Sequence, residues 1–134
     1  MYSKTSQVKK RKEKISTVKN RLWKLCKQII RERDDYTCQW CRKKLESKKC
    51  QTSHVIPRAN GNALYFDLQN LKVLCFYCHK HKWHANPIEA ESWFEAKFPD
   101  RYEYLMKRSH DSVDWKLEDF LELEKKYTAL LTHV

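Results

Sequence analysis

The residues of this chain with the clearest chemistry are four cysteines arranged as two pairs. Cys38 pairs with Cys41, and Cys75 pairs with Cys78, each with two residues in between. This spacing lets both thiolates of one turn reach the same metal ion, so two such turns predict a closed tetrahedral zinc site. A zinc ion held by four thiolates has no open position at which to activate water. Any catalysis must therefore depend on other residues.

The candidates for catalysis lie between the cysteine pairs and directly after them. The intervening segment, 42–74, is longer than the roughly 15–20 residues of a simple four-cysteine finger, so it must hold further structure. It carries His54 and Asn70, and His79 follows Cys78 directly. A neutral imidazole on a rigid strand is suited to act as a general base near neutral pH. A strand histidine taken alone is more often structural, but its position between two metal-binding turns favours catalysis.

The positive charge of the chain is concentrated at its start. The net charge is +11, and 12 of the 28 lysines and arginines occur in residues 1–33, against only Glu13 and Glu32. Such a basic block is typical of proteins that bind a nucleic-acid backbone, although a solubilising tail has the same composition. The residues predicted to contact nucleic acid here are Lys9, Lys10, Arg11 and Lys12.

Composition excludes several other classes of protein. The chain has one glycine, so a glycine-rich phosphate loop or dinucleotide fingerprint is excluded. Six cysteines without an apolar leader favour a reducing compartment, where paired cysteines bind metal more often than they form disulfides. No apolar run approaches the roughly 20 residues that span a bilayer, so no membrane partner is expected. Cys26 fits burial on a helix, whereas Cys50 is ambiguous.

The pattern of elements predicts an α+β fold that is mainly helical. We expect a disordered basic arm over 1–14, a basic helix over 15–35, a zinc-bound core over 36–85 and a helical segment over 86–134. Short strands are predicted within 49–57 and over 71–74, with a helix beginning near Cys78 or His79. Asn86 and Pro87 indicate the start of the next helix, Pro99 opens another, and the last should run over about 114–131. The turn at 60–62 contains the only glycine and is predicted to be a loop tip.

The order of these residues resembles that of HNH endonucleases, also called His-Me finger or ββα-metal nucleases. That family places a histidine at the end of the first strand, an asparagine before the second strand and a metal-binding residue at the helix start, and 36–85 here is similar. Within the family, residues 54–58 and 65–70 are most similar to phage recombination proteins of the NinG type. The basic helix before the first cysteine pair and the helical tail add to that resemblance.

The resemblance implies a metal-dependent endonuclease that hydrolyses DNA. His54 would be the general base, Asn70 would orient the loop or the histidine, and His79 would hold a catalytic Mg²⁺ or Mn²⁺ ion. Arg58, Lys80 and Lys82 would contact phosphates near the scissile bond, although each could be solvated surface. The phage resemblance further implies the cytoplasm of a bacterial host and branched recombination intermediates. The sequence leaves the oligomeric state open, a dimer included.

The chain departs from the family pattern at two positions. Many HNH proteins have an aspartate before the catalytic histidine as a second metal ligand, whereas this chain has Ser53, whose hydroxyl is a poor substitute. Trp83 stands four residues after His79, where some relatives keep another histidine. Asp67 and His84 are the chemically suitable alternatives as ligands.

Two further readings therefore stay open: a non-catalytic zinc-stabilised DNA-binding protein and a zinc protein that binds RNA. A group of aromatic side chains could stack on bases, but we expect them to form a small core around zinc. Its members are Trp40, Tyr65, Phe66, Phe76, Tyr77 and Trp83.

Overall fold

The computed structural model describes residues 13–57 and 61–132. The predicted nucleic-acid contacts Lys9, Lys10, Arg11, Lys12 and Arg58 lie outside these residues, as does most of the predicted basic arm. The described part is mainly helical with one small sheet, in agreement with the predicted fold class. Its elements are helix α1 (Ile15–Arg33), strand β1 (Gln51–His54), strand β2 (Leu71–Leu74), a π-helix (Cys78–His84), and helices α2 (Pro87–Lys97), α3 (Pro99–Arg108) and α4 (Leu117–Thr132).

Helix α1 covers one face of the sheet and carries the main hydrophobic core. Val18, Leu22, Cys26 and Ile30 recur every four residues and are fully buried, which confirms the predicted stripe and the burial of Cys26. The stripe packs against Phe66, the two strands and α4. Arg21 extends this contact by forming ion pairs with both Glu124 on α4 and Glu13. One face of the basic helix is thus buried in the core of the domain.

The two strands form an antiparallel hairpin in which Ser53 pairs with Lys72 and His54 pairs with Leu71. All four residues of β2 are buried, because α1 covers one face and the π-helix and α2 lie on the other side. His54 is the last residue of β1, and a short 3₁₀ turn (Leu68–Asn70) leads into β2. The predicted bounds of β2 are confirmed, while β1 is shorter than the segment predicted for it.

The helices after the cysteine pairs close the fold around the hairpin. α2 and α3 bury Phe94 and Leu105 against Ile56 and Leu64, and α4 lies along α1. Asn62 exchanges two hydrogen bonds with the backbone of Val113 at 2.6 and 2.8 Å, which joins the 61–66 segment to the link between α3 and α4. Within the described residues, no helix has both the length and the apolar character needed to cross a membrane.

A helix begins at Cys78 as predicted, and it is a π-helix. Other local predictions were wrong: α4 begins at Leu117 rather than near residue 114. α2 begins at Pro87 as predicted, but the Asn86 side chain makes no capping hydrogen bond. Gly61 is not an exposed tip: a Cβ atom there would lie 2.6 Å from the carbonyl oxygen of Asp111, so the glycine allows close packing of two backbone segments.

Candidate active site

The four paired cysteines converge as predicted. Their sulfur atoms all lie within 4.8 Å of one another, and the sulfurs of Cys41 and Cys75 are 3.9 Å apart. Four thiolates about 2.3 Å from a zinc ion in tetrahedral geometry would be about 3.8 Å apart, so the donor set fits structural zinc. In the described part of the chain, no other group of three or more potential metal ligands is this close.

The backbone around the cysteines is shaped for a metal site. Arg42, directly after Cys41, has a left-handed φ of 68°, and its amide donates to the carbonyl oxygen of Cys38 at 2.9 Å, closing the turn. Burial raises the pKa of the Cys38 thiol, but hydrogen bonds from backbone amides of Cys41, Cys75 and Trp40 outweigh it and lower the pKa to about 7. Amides that stabilise a thiolate also favour metal binding, because the thiolate is the ligand.

A cavity of about 810 Å³ lies between the hairpin, the π-helix and the helices α2 and α3. The histidines that line it come from three different segments of the chain: His54 from β1, His79 and His84 from the π-helix, and His110 from the link after α3. The structure therefore brings the two predicted catalytic histidines, His54 and His79, to one open cleft.

His54 is held in one orientation by its neighbours. Its Nε2–H donates to the carbonyl oxygen of Tyr65 at 3.1 Å, so in the neutral ring Nδ1 carries the lone pair. The ring also stacks on Trp23 of α1, with centroids 5.3 Å apart and planes within 5°, and lies 4.5 Å from the ring of Tyr65. Both the tautomer and the plane of the imidazole are thus set by contacts from outside β1.

Asn70 is fully buried and lies behind His54 without facing the cavity. Its side-chain oxygen accepts the amide N–H of Ile56 at 2.7 Å, and its nitrogen donates to the carbonyl oxygens of Ile56 and Leu64 at 3.0 and 3.1 Å. These bonds join the chain leaving β1 to the segment that carries Tyr65. Asn70 therefore acts on His54 through the backbone, by holding the loop on which the Tyr65 carbonyl lies.

Two arginines hold the turn that carries Asn70. Arg33, at the end of α1, donates to the carbonyl oxygens of Leu68 and Leu71 at 2.8 and 2.6 Å. Arg101 on α3 donates to the carbonyl oxygens of Gln69 and Leu71, in both cases at 3.0 Å. α1, which precedes the sheet in the chain, and α3, which follows it, thus both stabilise the short turn before β2.

His79 is half-buried at the start of the π-helix and has partners for both ring nitrogens. Its Nδ1–H donates to Oε1 of Gln51 on β1 at 2.6 Å, so Nε2 carries the lone pair. Burial, followed by the nearby charges of His84, Lys72 and His54, lowers the pKa of His79 to about 4. A neutral imidazole with a fixed tautomer is the form that binds a metal ion.

The comparison with protein families agrees with this geometry. Residues 38–94 match the family model described as HNH endonuclease, a span that includes both cysteine pairs, His54, Asn70 and His79. Residues 38–94 therefore carry an HNH endonuclease domain. No curated protein and no solved structure matches the chain. The predicted similarity to NinG-type phage proteins stays a prediction.

The HNH domain of this chain has an unusual residue behind its cavity. Lys72 on β2 is fully buried, and its ammonium donates to the hydroxyl of Ser53 at 3.2 Å and lies 3.3 Å from the ring centre of Trp83. Burial lowers the pKa of Lys72 well below its ordinary value, and the positive charge of Arg101 adds to the shift. The two residues that depart from the family pattern, Ser53 and Trp83, are thus the residues that surround this lysine.

Asp67 and His84, the two alternative ligands, lie in different places. Asp67 is remote from the cavity: its carboxylate accepts hydrogen bonds from the hydroxyl of Tyr104 at 2.6 Å and the amide of Gln69 at 2.8 Å. His84 lines the cavity, and its Nε2 is 3.0 Å from Nε2 of His79. Only His84 adjoins the predicted metal-binding residue of the HNH domain.

The two other residues predicted to contact phosphate, Lys80 and Lys82, lie on the side of the domain that holds the cysteine cluster. Lys80 and Lys82 do not line the cavity; Lys80 lies over the ring of Phe76 at 5.5 Å and Lys82 over that of Trp40 at 5.4 Å.

The prediction that all six aromatic residues form a core around zinc was wrong. Phe76 and Tyr77 are 58% and 61% exposed, because the turn that binds the metal points them outward.

The other four aromatic residues are divided between two clusters. Trp40 and Trp83 pack against the cluster of Cys38, Cys75, Cys78 and Leu74, whereas Tyr65 and Phe66 belong to the core under α1. The sequence reasoning also missed three residues that position the site, namely Trp23, Gln51 and Lys72. Only Lys72 left a signal, since a lone lysine stands among the apolar residues of 71–74. The contacts of Trp23 and Gln51 arise from tertiary packing.

Proposed function

We propose that this chain is a metal-dependent HNH endonuclease in which His54 activates water for hydrolysis of a DNA phosphodiester bond. The match of residues 38–94 to the HNH endonuclease family model implies DNA as the substrate and indicates nuclease activity. The observation that carries the residue assignment is that His54 and His79 line one cavity, each with a defined tautomer.

In this mechanism His54 takes a proton from water at Nδ1. The water oxygen then attacks phosphorus, and the P–O bond to the leaving oxygen breaks. The carbonyl oxygen of Tyr65, which accepts the Nε2–H bond, stabilises the imidazolium that forms, because it retains its acceptor role when the ring becomes charged. Asn70 contributes by holding the backbone that presents this carbonyl.

His79 would hold the catalytic divalent ion in the proposed mechanism, with Mg²⁺ or Mn²⁺ as the expected ions. Such an ion supplies positive charge to the phosphate and to the leaving oxygen. The single lone pair at Nε2 of His79, set by Gln51, supports this role. The four cysteines stabilise the fold and take no part in the reaction, since their zinc has no open position.

The test is cleavage of supercoiled, linear and branched DNA with Mg²⁺ or Mn²⁺ by the parent protein and by His54→Ala. We expect the variant to lose cutting by about 10²–10⁴-fold, as is typical for removal of a general base, while its zinc content and DNA binding stay unchanged. His81→Ala is the matched control, because His81 is exposed on the same π-helix but does not line the cavity. Branched DNA in the panel tests the finer proposal of a phage recombination substrate.

A DNA-binding protein without nuclease activity is the second candidate, and the environment of Ser53 favours it. Ser53 is buried and bonded to the Lys72 ammonium, so it offers no ligand to a metal ion in the cavity. If no DNA is cut with either ion, this second function is the better account. The exposed lysines and the zinc cluster would then serve binding alone. If the parent cuts DNA and His54→Ala cuts as fast, the role of His54 as general base is wrong.

A further inference from the structure

Two neighbouring aromatic side chains, Phe76 and Tyr77, are exposed on the second cysteine turn. Cys75 and Cys78 on either side of them are buried, because their sulfur atoms face the cluster, so the two residues between them lie on the outside of the turn. All other aromatic residues in the described part of the chain are buried or half-buried. An exposed ring forfeits the stabilisation that its burial would provide, so two such rings side by side indicate a binding surface.

The surroundings of the two rings are basic. The ammonium of Lys80 lies over the ring of Phe76, and the ring of His81 lies 4.9 Å from that of Tyr77, tilted by 39°. Segments 36–45 and 72–88, which contain the two cysteine turns, include no aspartate and no glutamate. Among the described residues, four basic side chains of these turns that solvent can reach form no ion pair with a carboxylate: Arg42, Lys43, Lys80 and Lys82. The surface therefore favours a negatively charged partner.

The two rings lie close to the proposed cleavage site along the chain. Tyr77 precedes His79, which lines the cavity, by two residues, so their Cα atoms are at most about 7.6 Å apart. Successive bases of a DNA strand are about 3.4 Å apart along the helix axis, so this distance corresponds to about two base steps. A strand with one phosphate in the cavity can therefore bring one of its next bases to the rings.

We propose that Phe76 and Tyr77 stack on unpaired bases of the DNA strand beside the phosphate that is cleaved, so that the substrate is DNA with a single-stranded segment. A ring stacks only on a base whose face is free, and in a duplex the neighbouring base pairs cover both faces. Exposed aromatic rings combined with basic side chains are the features by which proteins bind single-stranded DNA. A second copy of this chain is disfavoured as the occupant, because two equally basic surfaces repel each other.

This inference rests on the proposed function, because it names the form of DNA that the cavity would cut, but its test measures binding. The zinc-loaded chain, without added Mg²⁺ or Mn²⁺, is titrated into a fluorescent thymidine strand and into a strand of equal length made only of abasic sites. The two strands carry the same phosphates, but only the first has bases that can stack. We expect the parent to bind the thymidine strand at least about fivefold more tightly, since stacking of one base on an aromatic ring has at least that effect.

The double variant Phe76→Leu/Tyr77→Leu should reduce this preference to less than about twofold, because leucine keeps an apolar surface but has no π face. Its binding to the abasic strand and to duplex DNA should stay as in the parent, and so should the salt dependence, since no charge is removed. Leu130→Ala is the control: Leu130 is exposed on α4, outside the cysteine turns, and its removal should leave the preference unchanged. Zinc content and circular dichroism check the folding of each variant, and the two single variants give the same comparison if the double variant loses zinc.

Equal binding of the two strands by the parent would overturn the proposal before any variant is made, and so would a folded double variant that keeps the full preference. Tighter binding of the matching uridine RNA strand would overturn the assignment to DNA. A dimer that the double variant converts to a monomer would assign the rings to a second copy of the chain.

DNA cleavage by the same preparations, with Mg²⁺ or Mn²⁺ added, separates this proposal from the last. A preference for bases that depends on Phe76 and Tyr77, in a protein that cuts no DNA, would reject the nuclease and keep the stacking surface. Cleavage by a parent protein that shows no preference for bases would do the reverse.

Discussion

At the residue scale, Lys72 is the side chain whose environment is least like that of its residue type. A fully buried ammonium loses its hydration, and here the described residues offer it one hydroxyl, the indole face of Trp83 and the more distant ring of Phe94 in return. No carboxylate accepts from it among the described residues, although Asp34 is near enough for its charge to oppose the lowering of the pKa. The lysine therefore costs stability at neutral pH.

Replacing Lys72 with methionine should raise the free energy of unfolding at pH 7, by about 1–3 kcal/mol, because the variant fills the space without a buried charge. The pH dependence should also change. The folded pKa of Lys72 lies below its ordinary value of 10.5, so between the two values the unfolded chain binds more protons, and stability rises with pH. Lys72→Met should lack this rise. Urea unfolding of zinc-loaded proteins at several pH values measures both effects.

Lys80→Met is the control for this substitution, since Lys80 is exposed on the π-helix and should leave the pH dependence as it is in the parent. A Lys72→Met protein that is less stable than the parent and keeps the same slope would show that the ammonium is well compensated in the fold.

At the element scale, the hairpin depends on contacts from elements on both sides of it. α1 provides Trp23 against the ring of His54, and Arg33 and Arg101 hold the turn before β2. A two-stranded hairpin of four residues per strand is marginal by itself, so its geometry must be imposed from outside. The positions of His54 and Asn70 are therefore properties of the packed domain rather than of the hairpin.

The cysteine cluster holds the first turn and the π-helix together, and its loss should unfold the chain. Cys75→Ser should bind less than one zinc ion per chain and lose its cooperative unfolding transition. A structural zinc site contributes about 10–16 kcal/mol in small domains, which equals or exceeds the total stability of most domains. Metal analysis and thermal unfolding are the measurements. Cys50→Ser is the control, because Cys50 is half-buried outside the cluster; a folded, zinc-free Cys75→Ser protein would contradict the prediction.

At the scale of the whole molecule, the positive charge is concentrated in the first 33 residues. Beyond residue 33 the chain is nearly neutral, and on α1 Arg21 and Arg33 are engaged with carboxylates or backbone carbonyls. The first 12 residues carry five lysines and arginines and no acidic residue. We therefore expect this segment to provide affinity for DNA and no part of the chemistry.

Deletion of residues 1–12 should weaken DNA binding most at low salt and flatten its salt dependence. Each phosphate contact contributes about 0.9 to the magnitude of the slope of log K against log salt, so loss of five contacts would reduce that magnitude by up to about 4.5. Binding isotherms at several salt concentrations test this expectation, with zinc content as the check on folding. Parallel salt titrations of the full and shortened chains would show that the segment is only a solubilising tail.

The sequence by itself determined the parts of this protein that follow from local spacing. Two residues between paired cysteines, apolar residues every four positions in α1, and the order of His54, Asn70 and His79 were sufficient to predict the four-cysteine cluster, the helix and the resemblance to HNH endonucleases. These features depend on covalent distance along the chain and on helical periodicity, which a single sequence displays directly.

Only the tertiary structure decided which groups surround those residues. Gln51, Lys72 and Trp23 act on the site across strand pairing and helix packing, which bring together residues distant in sequence, and no spacing rule encodes such contacts. The choice between Asp67 and His84 likewise required the π-helix, because a shift of one residue in helical phase moves a side chain by about 100°. Phase within a short helix is set by what packs on it, here Lys72 and the cysteine cluster against Trp83.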